Sequence, residues 1–137
     1  MENLFDHINW LAVLACTVSS MVLGALWYSP VLFAKAWMAE IGKKREELMG
    51  GAGKGYAIAA FCSFIVALVL EKLFIKLGVH TIPVGAKISA VLGLGFVLTA
   101  ILVGDTFSKR SFKLTMITGF YHVVQMTIMG IILSAWN

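Results

Sequence analysis

Charged residues divide this chain into blocks. Positions 7–34, 55–70, 88–104 and 114–137 contain no Asp, Glu, Lys or Arg. A helix rises about 1.5 Å per residue, so about 20 apolar residues cross the hydrocarbon of a bilayer. Each block reaches that length or comes close to it, and short charged loops separate the blocks. The pattern predicts one all-α domain over 1–137, an integral membrane four-helix bundle with helices at about 9–29, 56–77, 86–103 and 114–135. The second block is short. Its helix is expected to run on through Glu71, Lys72 and Lys76, the lysines reaching toward headgroups and Glu71 pairing with a neighbour.

The breaks between blocks are legible too. Pro30 disfavours helical geometry at Ser29, so the first helix should end or kink there. Residues 31–41 then read as amphipathic: Leu32, Phe33, Ala36 and Trp37 can lie on lipid while Lys35 and Glu40 face water, which predicts a short segment along the membrane surface. Gly50, Gly51, Gly53 and Gly55 read as a flexible connector. They do not make a phosphate loop, because Gly53-Lys54 is followed by Gly55 and no strand precedes them. Pro83 falls in a turn over 78–85.

Composition sharpens the class. The chain is 60% hydrophobic and 13% charged, against about 25% charged in a soluble domain. No loop is long enough to fold alone, which excludes a separate soluble catalytic domain. The net charge of +4 is a topology signal, not a nucleic-acid footprint, since no basic face with interleaved aromatics lies outside the apolar blocks. Lys35, Lys43, Lys44, Arg45 and Lys54 follow the first helix, and Lys109, Arg110 and Lys113 follow the third. Only Lys72, Lys76 and Lys87 fall on the opposite side. The positive-inside rule places loops 34–55 and 104–113 in the cytoplasm and both termini outside, as in a multi-pass protein of a bacterial inner (plasma) membrane. The acidic start, Glu2 and Asp6, does not fit a cleaved signal, so the first helix is expected to be retained.

Small residues predict how the helices meet. Lipid is as apolar as leucine, so membrane helices associate where small side chains allow close approach. Ala12, Cys16, Ser20 and Gly24 recur four apart on the first helix, Ala59, Ser63 and Ala67 on the second, and Gly85, Ser89 and Gly93 on the third. These stripes serve contacts within the chain or between copies, and homo-oligomerisation or a membrane-protein partner is expected. Cys16 and Cys62 read as packing residues. A faint repeat relates Val22-Leu23-Gly24 to Val91-Leu92-Gly93, and Lys54, Ile58 and Phe61 to Lys113, Ile117 and Phe120.

Candidate chemistry concentrates on the fourth helix. Thr115, Thr118, His122, Gln125 and Met129 share one face. Polar groups at mid-membrane depth face a protein interior or a wet cavity. Two readings stand: a proton, ion or ligand pathway with His122 as the titrating group, or an interhelical hydrogen-bond stripe. The second is favoured, because no acidic residue at that depth partners His122. His122, Met126 and Met129 could offer soft ligands to Cu(I), and His7 and His80 share the opposite end, but no ligand spacing supports a metal and none is predicted. Asp105 reads as an interfacial salt-bridge or turn residue. Its depth and that of Glu71 put the two carboxylates too far apart for acid–base work. No nucleophilic triad can be assembled, so no catalytic residue and no cofactor is assigned.

At the ends of the first helix the residues become distinctive. Asn9-Trp10-Leu11-Ala12-Val13 opens it and Leu23-Gly24-Ala25-Leu26-Trp27-Tyr28-Ser29-Pro30 closes it, followed by Leu32-Phe33, Lys35 and Trp37. This resembles a family of small bacterial four-helix membrane proteins, domain of unknown function 1761. The likeness extends over essentially the whole chain, although Ala34 stands where the family pattern leads one to expect Gly. It implies an integral membrane protein and brings no activity with it. Asn9, Trp10, Trp27, Tyr28, Ser29 and Pro30 form an interfacial motif with two possible roles. The aromatic rings could anchor the helix at the headgroups, or Tyr28, Ser29 and the carbonyls freed by Pro30 could line a small polar pocket. The anchor is favoured. The expected function is a non-enzymatic, self-associating binding, accessory or assembly component of the membrane; the alternative is a small transporter or channel along the polar face of helix four.

Overall fold

The computed structural model describes residues 3, 5–44, 46–47, 50 and 52–136. Glu2, Arg45 and Gly51, invoked above, lie outside the described residues. Within these, the chain is all helix and turn, without strands: α1 (Trp10–Trp27), α2 (Ala34–Ile41), α3 (Ala52–Leu77), α4 (Ile82–Phe107) and α5 (Phe112–Trp136). Four of them, α1, α3, α4 and α5, are long and apolar enough to cross a membrane. They alternate in direction, so one end of the bundle, the terminal end, carries the start of α1 and the end of α5, and the other carries α2 and the basic loops.

The helix boundaries have local causes. Asn9 caps α1, its Oδ1 accepting the Ala12 N–H at 3.1 Å. At the other end Pro30 has no N–H to give, and α1 closes at Trp27, short of the expected 29. The Leu26 carbonyl takes the Ser29 N–H and hydroxyl instead, and the Trp27 carbonyl takes Phe33 N–H at 3.0 Å. Gly53 and Gly55 are helical, not a connector: α3 begins at Ala52. Pro83 occupies the first turn of α4, where a missing N–H costs nothing, so that helix starts at Ile82, ahead of the expected 86. Gly78 ends α3 with φ +65°, allowing Val79 N–H to reach back to the Phe74 carbonyl at 3.0 Å. Ser111 caps α5, accepting from Leu114 N–H at 3.1 Å.

α5 is the hub. α1, α3 and α4 all pack against it, α1 also packs on α3, and α3 and α4 scarcely touch. The core sits toward the terminal end, where Ala12, Val13, Cys16, Ala67, Phe74, Met129 and Leu133 are fully enclosed. The outward surface is the reverse of a soluble protein's. Val18 and Val22 of α1, Ile58 and Phe61 of α3, Val91 and Val103 of α4 are all exposed. Lipid covers such a surface without penalty; water does not.

The tightest seam joins α4 to α5. A Cβ on Gly85 would lie 2.7 Å from the Gly130 carbonyl oxygen and would also strike the Ser134 side chain. A Cβ on Gly130 would lie 2.5 Å from the Gly85 carbonyl oxygen and would strike the Ser89 hydroxyl. Backbone therefore rests on backbone. Farther along, Gly93 lies against Val123 and Gly119 against Leu98. Between these contacts α4 widens into a π-helical stretch, Gly93–Leu98. Thr99 Oγ1 bonds back to the Gly95 and Phe96 carbonyls at 2.8 and 3.0 Å, serving acceptors in that wider turn. The α1 stripe is buried at Ala12, Cys16 and Ser20. On α3, Ser63 and Ala67 are buried but Ala59 is exposed, because the first three turns of α3 stand clear of the other helices.

Candidate functional site

Three polar constellations lie inside the bundle. The first is on α5. Gln125 is buried and spans two helices: its amide N–H donates to Ser63 Oγ of α3 at 2.9 Å, and its carbonyl oxygen meets His122 Nδ1 at 3.1 Å. With Gln125 oriented this way, His122 carries its proton on Nδ1 and donates it. The His122 ring also meets the edge of Tyr121, centroids 5.0 Å apart. One turn away, Thr118 interacts with the Tyr28 hydroxyl. Thr115 is buried and donates to Asp105 Oδ2 at 2.9 Å, and Asp105 Oδ1 lies 4.0 Å from Arg110 Nε. The polar stripe thus has an acidic residue at its basic-loop end, attached to Thr115 and not to His122.

Above Gln125 the stripe stops. Met129 is fully buried, its carbonyl accepting a weak bond from the Cys16 thiol at 3.7 Å. Cys16, Ala67, Leu70, Phe74, Met129 and Leu133 fill the bundle from there toward the termini. Met126 packs beside Gly93 of α4, whereas Met129 is buried against α1 and His122 bonds within α5, so this trio does not converge on one point.

The second constellation is an aromatic layer at the basic-loop end. Trp27 points inward, Nε1 donating to the Ile117 carbonyl of α5 at 3.0 Å. Phe33 lies tilted against it at 4.7 Å, Tyr28 packs on Trp37 at 5.0 Å, and Tyr121 lies 6.2 Å from Trp27 and 5.7 Å from Tyr28. Tyr121 hydroxyl donates to the Ser20 carbonyl at 3.0 Å, against Gly24. α2 therefore folds its aromatic side onto the bundle: Phe33 and Trp37 meet protein where lipid was expected. Glu40, expected to face water, accepts the Ser111 hydroxyl at 2.5 Å, which ties α2 to the start of α5. Around Pro30 the Leu26 carbonyl is taken by Ser29, the Trp27 carbonyl by Phe33, and the Ser29 carbonyl by Leu32 and Ala34. Replacing Trp27 with Phe keeps an aromatic ring, though a smaller one, and removes the donor to the Ile117 carbonyl. We expect it to cost about 1 kcal/mol, read as a lower unfolding midpoint in detergent, while Trp27→Ala costs about 3 kcal/mol.

The third constellation is at the opposite end. Glu71, expected to pair with a neighbour in the outer turns of α3, is completely buried there, and its Oε1 accepts the Asn9 N–H at 3.0 Å. Its neighbour Lys72 reaches the Asn3 and Asp6 carbonyls, both at 3.4 Å. Glu71 and Lys72 hold the residues before α1 over the end of α3. Trp10 stacks between Phe5 and Phe64, centroids 6.3 and 6.5 Å away. Asn9 and Trp10 thus belong to one end of the bundle, and Trp27, Tyr28, Ser29 and Pro30 to the other.

Sequence reasoning also missed the small residues of α5 that receive α4: Gly119, Gly130 and Ser134. The Gly130–Ser134 spacing of four was the available signal. Ser89, facing Gly130, is buried, and its hydroxyl has no hydrogen-bond partner among the described residues.

Fold and site together define a small all-helical protein with an apolar exterior and polar contacts turned inward. Residues 11–134 match the family described as protein of unknown function (DUF1761), and the chain belongs to that family. No curated protein and no solved structure matches it.

Proposed function

We propose that this chain is a non-enzymatic multi-pass protein of the inner (plasma) membrane. Its basic loops face the cytoplasm, and it acts as a self-associating binding, accessory or assembly component. The observation that carries this reading is the state of the polar stripe. Thr115, His122 and Gln125 are engaged by Asp105 and Ser63 or by each other, and an apolar plug of Cys16, Phe74 and Met129 stands between them and the terminal end. A pathway across the bilayer needs polar or wet surface throughout. Self-association is supported by Gly55, Ala59 and Cys62, small residues exposed on the unpacked part of α3.

One observation favours the transport reading: His122 is only half-buried. Replacing His122 with Ala separates the two. An accessory protein should show the same small proton leak as empty proteoliposomes before and after the change, with a lower assembly yield or melting temperature. Loss of a pH-dependent flux in a variant that still folds and assembles would establish the transporter instead.

A further inference from the structure

Between α3 and α4 the bundle leaves a cleft. Both helices lean on α5 and scarcely meet each other. The gap has a volume of about 300 Å³, walled by Ile65, Val69 and Leu73 of α3 and by Leu92 and Phe96 of α4, with Met126 of α5 at its floor. The π-helical stretch of α4 forms much of that wall. The cleft opens outward, since Val69 is 61% and Phe96 72% exposed.

An apolar gap left empty forfeits dispersion contacts along its walls. In a bilayer the available fillers are lipid chains and other helices. A helix is about 10 Å across with its side chains, too broad to seat in a cleft of about 300 Å³. A hydrocarbon chain is a single file of methylenes. The length agrees as well. From Ile65 to Lys76, α3 rises about 16 Å, close to half of a hydrocarbon core about 30 Å thick. Lys76 is exposed in the last turn of α3, seven residues from Val69 and three from Leu73, so it shares their face at headgroup depth. An ammonium there complements a phosphodiester.

We propose that the α3–α4 cleft binds one acyl chain of a glycerophospholipid from the leaflet at the terminal end, with Lys76 meeting its phosphate. The inference rests on the membrane-spanning part of the reading above and is independent of self-association.

The test is native mass spectrometry of the protein released from nanodiscs of palmitoyl-oleoyl phosphatidylglycerol and phosphatidylethanolamine. Val69→Phe fills the cleft from an exposed position and leaves the core untouched. The wild type is expected to retain one more phospholipid per chain than Val69→Phe at the same assembly mass. Lys76→Gln should lower that occupancy several-fold with the cleft still open. Phe96→Trp, on the opposite wall, gives the same comparison should Val69→Phe fail to fold by circular dichroism. Equal lipid counts in wild type and filled variants overturn the proposal. A filled variant that loses a partner copy while keeping its lipid makes the cleft a contact between protomers, which also overturns it. Failure of self-association alone would change the assembly mass of the wild type and leave the lipid comparison intact.

Discussion

Gly130→Val is expected to detach α4 from the bundle. The Cβ that valine introduces would lie 2.5 Å from the Gly85 carbonyl oxygen. That obstacle is backbone in the first turns of α4 and cannot rotate aside as a side chain can. Overpacking where side chains can yield costs about 1–3 kcal/mol, so this change should fall at or beyond the upper end. Gly85→Ala, whose Cβ would meet the Gly130 carbonyl oxygen at 2.7 Å, should be damaging for the same reason. The two substitutions share one seam, so together they should cost less than the sum. Gly104 is the contrast. Nothing lies within 4 Å of a Cβ there, and Gly104→Ala should be neutral or stabilising by about 0.5–1 kcal/mol through helix propensity alone. Unfolding in detergent followed by circular dichroism checks the set; a Gly130→Val variant that melts with the wild type would refute the backbone contact.

That seam also marks how far the sequence could be read. Hydropathy is a property of each segment alone, so the four long helices were visible from charge-free blocks. Their ends were less so. Helix continues through Gly53 and Gly55 because the flanking residues favour it and no partner is needed. Pro83 starts α4 because a first-turn residue has no N–H bond to lose. The small-residue stripes of α1 and α4 were legible, but the face of α5 that receives α4 depends on how three helices share one hub. Phe33 and Trp37 show the same limit: amphipathicity identifies an apolar side without saying whether lipid or protein covers it. For the polar face of α5, spacing showed that Thr118, His122 and Gln125 lie together. Only the fold shows that Gln125 reaches Ser63 and that Met129 closes the line. Glu71 shows the same limit. Sequence put it in the outer turns of α3 with a neighbour to pair with; only the fold shows that the neighbour is the Asn9 N–H and that protein encloses it completely.

The second large effect is therefore expected at Glu71. Its carboxylate lies at the N-terminal end of α1, where unsatisfied N–H groups and the helix dipole favour negative charge. Asn9 Oδ1 serves the Ala12 N–H and Glu71 serves Asn9 N–H, so two side chains cover the first and last of the four orphan donors at one helix start. Glu71→Ala removes the acceptor from a buried position and leaves the Asn9 N–H without it, at a cost of about 1–3 kcal/mol. It also opens a cavity beside the core. The loss should be concentrated in the first turn of α1, as faster amide hydrogen exchange at Asn9 and in the N–H groups that follow. Glu71→Gln separates acceptor from charge: its amide oxygen can still take the Asn9 N–H, so it should keep most of the protection that Ala loses. If Gln and Ala prove equally damaging in exchange and in unfolding, the carboxylate acts through its charge on the α1 terminus and not through the Asn9 bond. If neither changes exchange at that turn, α1 does not depend on Glu71 for its start, and the residues before α1 owe their position to Lys72 and the Phe5–Trp10–Phe64 stack instead.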